Sequence, residues 1–229
     1  MENYQRFAVY YVPPTGPFAD FAARWLGWDA VTGRDMVHPD MDGLPLPVSD
    51  ITATPRKYGF HGTIKPPFRL ADGSSRARLE SDLGRLAARL KPVECEALQL
   101  HRLGGFLALV PTGNTRDLAA LAAEVVMGLD AHRRPAPPEE LARRRARGLS
   151  ADQESNLVEW GYPYVLDAFQ FHLTLSGELD PEGAEKVAEV LEPAIMPLTP
   201  RPFSVSELTL CGAGDDGRFH VLHRYPLTG

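Results

Sequence analysis

Histidine and threonine recur together twice in this chain. Tyr58-Gly59-Phe60-His61-Gly62-Thr63-Ile64-Lys65 and Phe169-Gln170-Phe171-His172-Leu173-Thr174-Leu175-Ser176 share Phe-His-x-Thr followed by an aliphatic residue. An imidazole titrates near pH 6.5, so at neutral pH it can either accept a proton or give one. Two imidazoles facing one site supply a base and an acid, which is what hydrolysis of a phosphodiester needs. One takes a proton from water and the other protonates the leaving alkoxide, each worth roughly two to four orders of magnitude in rate. Alternate residues of a strand share a face, so Thr63 and Thr174 would stand beside their histidines and donate hydrogen bonds to nonbridging phosphate oxygens. The pattern leaves open which histidine is base and which acid. Either strand alone reads as a surface or cleft histidine beside a strand-favouring threonine; the repetition at equivalent places makes the catalytic use the better explanation.

Strict alternation also puts Lys65 on the face of His61 and Thr63. There it either adds positive charge beside the phosphate or ends the strand as a solvated lysine. Arg56 and Lys57 precede the motif and would act in the same way. Tyr11 is a candidate for substrate binding, from a set that includes Tyr10, Tyr162 and Tyr164, because an aromatic face can stack on a base or sugar. Tyr58 falls on the Phe60 face and is expected in the core. His220 and His223 are three residues apart and would point to opposite faces of a strand, so no shared metal site is expected. His38, His101 and His132 have no partner pattern. With no Gly-rich phosphate loop and no His-Glu-x-x-His, nucleotide-triphosphate and zinc-protease readings have no support.

The elements that must position these residues are legible in outline. Residues 7–12 read as a strand and 17–28 as a helix, followed by a long Pro-, Gly- and Asp-rich loop over 29–55 suited to a site rim. The first histidine strand spans 57–63 and is closed by Pro66-Pro67. Residues 74–90 form an amphipathic helix, with Leu79, Leu83, Leu86 and Leu90 on one face. A hairpin follows over 97–110, turning at Gly104-Gly105. Residues 115–132 then read as a helix and 135–164 as an inserted helical segment, whose stretch from Trp160 to Tyr164 suits a cleft wall. A strand over 169–175, a helix over 181–191 and a hairpin over 204–225 complete the chain. Aligning His61 with His172 superposes strand, helix and hairpin, which points to a duplication. The whole chain, 1–229, is expected to form one bilobal unit with halves near 1–113 and 114–229 that may exchange strands.

Bulk properties narrow the partners. A formal net charge of -6 over 229 residues argues against long nucleic acid, which needs clustered Lys and Arg, and favours a small phosphorylated substrate. The basic run Arg143-Arg144-Arg145-Ala146-Arg147 reads as a solvated helix face. Cys95 and Cys211 sit in no disulfide-framework or metal-like spacing. The opening residues lack a secretory leader and no apolar run approaches a bilayer span, so a cytoplasmic protein without membrane contact is expected. Nothing in the sequence bears on oligomeric state.

On these residues the chain resembles the 2H phosphoesterase superfamily, which includes RNA 2′,3′-cyclic phosphodiesterases and 2′-5′ RNA ligase-like proteins and is defined by two His-x-Thr/Ser-x motifs, here His61-Gly62-Thr63-Ile64 and His172-Leu173-Thr174-Leu175. The phrase from Arg56 to Phe68, with Trp160-Gly161-Tyr162-Pro163-Tyr164, is similar to the branch associated with bacterial phosphonate-utilisation operons. The resemblance implies an α+β, duplicated, bilobal fold with two antiparallel sheets, helices outside and the motifs in a central cleft, and an enzyme without metal or cofactor. It also implies hydrolysis of a cyclic phosphodiester by His61 and His172, with Thr63 and Thr174 binding the phosphate. The rival expectations are, from another class, a nonenzymatic protein that binds a phosphorylated ligand or RNA end and, third, an RNA-end ligase, which the acidic charge balance disfavours.

Overall fold

The computed structural model describes residues 4–146 and 148–229; Met1 to Asn3 and Arg147, the last of the basic run, lie outside the described residues. The chain opens with β1 (Arg6–Tyr11) and α1 (Pro17–Leu26), the helix being entered through Pro17 and closed by Gly27 in the left-handed conformation. The expected loop over 29–55 is more structured than its composition suggests. It holds the small hairpin β2 (Trp28–Asp29) and β3 (Arg34–Asp35) and two single-turn helices, α2 (Val48–Ile51) and α3 (Ala53–Arg56). Elements of two to four residues are too short to show a period, yet Val48 and Ile51 of α2 are buried in the core.

Next come β4 (Gly62–Phe68), α4 (Arg76–Ala87, capped by the Ser75 hydroxyl), β5 (Val93–Cys95) and the hairpin β6 (Leu98–Leu103) and β7 (Phe106–Pro111). The helices α5 (Arg116–Gly128), α6 (Pro138–Arg145) and α7 (Ala151–Trp160, opened by a Ser150/Gln153 capping box) precede β8 (Leu173–Thr174). The last elements are α8 (Pro181–Ile195), β9 (Phe203–Val205), β10 (Glu207–Ala213) and β11 (Phe219–Pro226).

The α+β class with antiparallel sheets and outer helices is the architecture found, and its main sheet runs β11-β10-β1-β4-β8-β7-β6. Each histidine strand is flanked by a hairpin from the other half of the sequence. The hairpin β10–β11 extends β1 and β4, while β6–β7 pairs with β8. The two sets join through a single registered pair, Gly62↔Leu173. Both small sheets, β2–β3 and β5–β9, lie apart from this ladder. The core gathers apolar helix faces such as Leu79, Leu83 and Leu86 of α4 and Val187, Leu191 and Ile195 of α8, at the spacing that stacks residues on one side of a helix.

Both expected histidine strands are displaced. The first was expected to end at the prolines, but β4 begins after His61 and runs through Pro66 and Pro67. Proline removes a ladder donor and is tolerated at bare edges and bulges, and here both conditions hold. The neighbour β8 is only two residues long, and the register against β1 slips between Phe7↔Phe68 and Val9↔Lys65. The second expected strand, 169–175, shortens to Leu173–Thr174. Among the described residues, no helix is long and apolar enough to cross a membrane.

Candidate active site

The residues that follow the two histidines, Gly62 and Leu173, are direct antiparallel partners. Each histidine immediately precedes one member of that pair and each threonine immediately follows one, so the two motifs meet at this point. The Phe171 ring fills the space beside Gly62: a Cβ there would lie 2.2 Å from it, so a larger residue has to displace the ring. His61 is oriented by a second glycine. Gly59 has φ +69°, where a side chain would also meet the Ala30 methyl at 2.7 Å, and its carbonyl accepts from His61 Nδ1 at 3.0 Å. His172 repeats this arrangement, its Nδ1 donating to the Gln170 carbonyl at 2.8 Å. A carbonyl only accepts, so each Nδ1 carries a proton and each Nε2 is turned to the other side of the ring.

The cleft has a volume of about 770 Å³, and its lining includes His61, Thr63 and Thr174. His172 stands beside it, its ring 5.6 Å from that of Phe106, which forms part of the wall. Thr63 Oγ1 lies 3.2 Å from His61 Nε2 and Tyr10 packs on the His61 ring at 3.9 Å. Burial is the main cause that pushes the His61 pKa down, to about 4. The Gly59 carbonyl opposes the shift and the His172 charge adds to it. His61 is therefore neutral at pH 7 with an Nε2 lone pair able to take a proton.

Two substrate-binding candidates lie elsewhere. Within β4 the register against β1 advances two residues for one between Tyr10↔Thr63 and Val9↔Lys65, which is a bulge. Thr63 thus keeps the cleft face with Tyr10, while Lys65 turns to the core face with Val9. Lys65 is 2% exposed, donates to the Val126 carbonyl at 2.8 Å and lies 3.6 Å from Asp130. Neither alternative considered for it, a phosphate contact or a solvated strand end, fits this position. Tyr11 is buried against Phe171 and Phe203 in the main core. Its neighbour Tyr10 takes the cleft position, with its hydroxyl buried and unpartnered among the described residues. Arg56 ties α1 to α2 through the Leu26 and Ser49 carbonyls, so it is structural, whereas Lys57 lines the cleft.

Other side chains also reach the site. Tyr58, expected in the core, lines the cleft 5.8 Å from His61. Tyr162 and Tyr164, from the stretch expected to suit a wall, line it too. The basic run divides. Arg145 is exposed and paired with Glu154 as a solvated face requires, but Arg143 and Arg144 line the cleft. His132, which showed no partner pattern, joins Ser74 (2.6 Å) and Asp82 (2.8 Å) away from the cleft, tying the turn after α5 to α4. Among the described residues, no group of three or more His, Cys, Asp and Glu side chains could hold a metal ion.

The two histidines lie beside the one pair that joins the β1, β4 set and the β6, β7, β8 set of strands in the main sheet. The chain belongs to the family described as protein of unknown function DUF1045, whose model matches residues 63–220 and so includes the second motif in full and the first from Thr63. It is 33% identical over 195 residues to ribose 1,5-bisphosphate phosphokinase PhnN of Janthinobacterium sp. (strain Marseille), covering 84% of this chain and 43% of that protein. To the protein of the same name from Laribacter hongkongensis (strain HLHK9) it is 36% identical over 176 residues, covering 76% and 40%. The chain thus spans about two fifths of the length of the curated relatives it matches. Among solved structures, Escherichia coli LigT in its apo form aligns over 100% of both chains at 17% identity and a TM-score of 0.47.

Proposed function

We propose that this protein is a metal-independent phosphodiesterase that hydrolyses a cyclic or small phosphodiester of a sugar or nucleoside. The observation that carries this reading is the equivalence of the two motifs: each histidine has its Nδ1 fixed by the carbonyl two residues earlier, and the residues that follow the two histidines, Gly62 and Leu173, pair directly. His61, neutral and with its Nε2 lone pair beside the cleft, takes the proton of a water as that water attacks phosphorus. His172 then protonates the leaving alkoxide as the P–O bond breaks, and solvent returns the pair to its starting protonation. Thr63 and Thr174 turn their hydroxyls to the nonbridging oxygens, where negative charge accumulates. The name of the curated relatives speaks of a phosphorylated ribose, which supports a sugar phosphate as the substrate class. The kinase activity in that name has no support from this chain, which lacks a Gly-rich phosphate loop.

The test is turnover of a panel of 2′,3′-cyclic nucleotides, sugar cyclic phosphates and generic phosphodiesters in EDTA. Hydrolysis that survives chelation and disappears in His61→Ala is expected. Tight binding of panel members without any product would instead identify a binding protein.

A further inference from the structure

The cleft is far more basic than the chain that forms it. Its lining carries the cations Arg6, Lys57, Arg69, Arg143 and Arg144 against the two carboxylates Glu140 and Glu178, in a protein of net charge -6. Glu140 is shared between Arg144 at 2.7 Å and Arg69 at 4.0 Å, so one carboxylate faces two guanidiniums. The side chains of Arg6 and Arg143 have neither a hydrogen bond nor an ion pair among the described residues, and the Arg6 guanidinium lies over the Phe219 ring, at 5.7 Å. Arginines gathered in a concave site with their forks unspent suit a phosphate, which accepts several charge-assisted hydrogen bonds at once.

The position of this group separates it from the histidines. Arg6 precedes Phe7, the partner of Phe68, so Arg6 and Arg69 lie at the same end of β1 and β4, while Tyr10 and Thr63 are partners at the other end. Four residues of strand, at about 3.3 Å each, put roughly 13 Å of backbone between these ends. Arginine side chains are long enough to shorten that separation, so one small molecule carrying two phosphates can span it. The inserted helix α6 supplies Arg143 and Arg144 over the same end, and Arg144 stacks on Tyr162 at 4.8 Å.

We propose that Arg6, Arg69, Arg143 and Arg144 form a second anion subsite that holds a phosphate monoester borne by the same molecule whose phosphodiester reaches the histidines. The substrate is then a cyclic phosphate carrying a terminal phosphate on the far side of its sugar. This rests on the phosphodiesterase reading, and two experiments keep the two claims apart. In the first, kcat/KM is compared for adenosine 2′,3′-cyclic phosphate with and without a 5′-phosphate. Charge-assisted hydrogen bonds of this kind predict a preference of at least about 10-fold for the 5′-phosphorylated compound, expressed in KM. The preference collapses toward unity in Arg143→Ala and Arg69→Ala, both exposed side chains whose removal leaves the core intact. Equal turnover of both compounds would overturn the subsite while leaving the two-histidine chemistry standing.

The second experiment needs no turnover: calorimetric binding of adenosine 5′-monophosphate and of adenosine to wild type, Arg143→Ala, Arg69→Ala and His61→Ala. Binding of the monophosphate at least about 10-fold tighter than adenosine, weakened in both arginine variants and retained in His61→Ala, is expected. Loss in His61→Ala alone, or no preference for the monophosphate, would place no phosphate at the arginines and overturn the proposal.

Discussion

His61 is kept neutral by its surroundings, and that has a consequence for stability as well as for chemistry. Its pKa is about 4 in the folded protein and near 6.5 unfolded, so between these values the unfolded chain binds more protons. Stability therefore rises with pH across that window, is flat above it, and falls on acidification toward pH 4. Urea denaturation at pH 4.5 and 7.5 should show a larger loss for wild type than for His61→Gln, whose side chain does not titrate; equal losses would remove burial as the cause of the low pKa. Lys65 makes a prediction about structure rather than chemistry. Its ammonium joins Val126 and Asp130 inside the protein, and burial holds its pKa down at about 8. Lys65→Met leaves the Val126 carbonyl without its donor, while Asp130 keeps Arg133, and should cost about 2 kcal/mol in chemical denaturation while hydrolysis continues. A variant of full stability that has lost turnover would return Lys65 to the site.

The contact between β4 and β8 depends on one missing side chain. Gly62→Ala drives a methyl group into the Phe171 ring and should destabilise by about 1–3 kcal/mol. Phe171→Leu makes room, so the double variant should cost less than the sum of the single ones in a denaturation cycle, whereas additivity would mean that the two residues do not press on each other. Elements of this kind also show what a sequence displays and what it conceals. The hairpin turning at Gly104-Gly105 and the helix carrying Leu79, Leu83 and Leu86 were plain, because turn residues and a 3.6-residue period are local signals. The bulge that parts Lys65 from Thr63 has no local signal; a register slip is set by the neighbouring strand. For the same reason Pro66-Pro67 looked like a strand end, since the bareness of that edge depends on how short β8 is. Tyr10 and Tyr11 could not be told apart because β1 is buried on both faces. Arg143 and Arg144 look alike on a helix facing solvent or a cleft until the helix is docked.

At the scale of the molecule, the halves are interleaved. β1 and β4 from the first half pair with β10 and β11 from the second, and β8 receives β6 and β7. Fragments 1–113 and 114–229, made separately, should each leave strand edges and apolar faces unpaired and fail to show cooperative unfolding by circular dichroism, whereas mixing them during refolding should restore it. Independent folding of either half would contradict the interleaved sheet. The same interleaving brings both histidines to one seam, and the account stands or falls on their joint action there. The direct test is the pH profile of kcat/KM for the best phosphodiester substrate in wild type, His61→Ala and His172→Ala. A bell-shaped wild-type profile with its acid limb near the His61 pKa of about 4, and a fall of roughly 10²–10⁴ in each variant with one limb lost, is the predicted result. Undiminished turnover in either variant, or an acid limb that persists without His61, would contradict it.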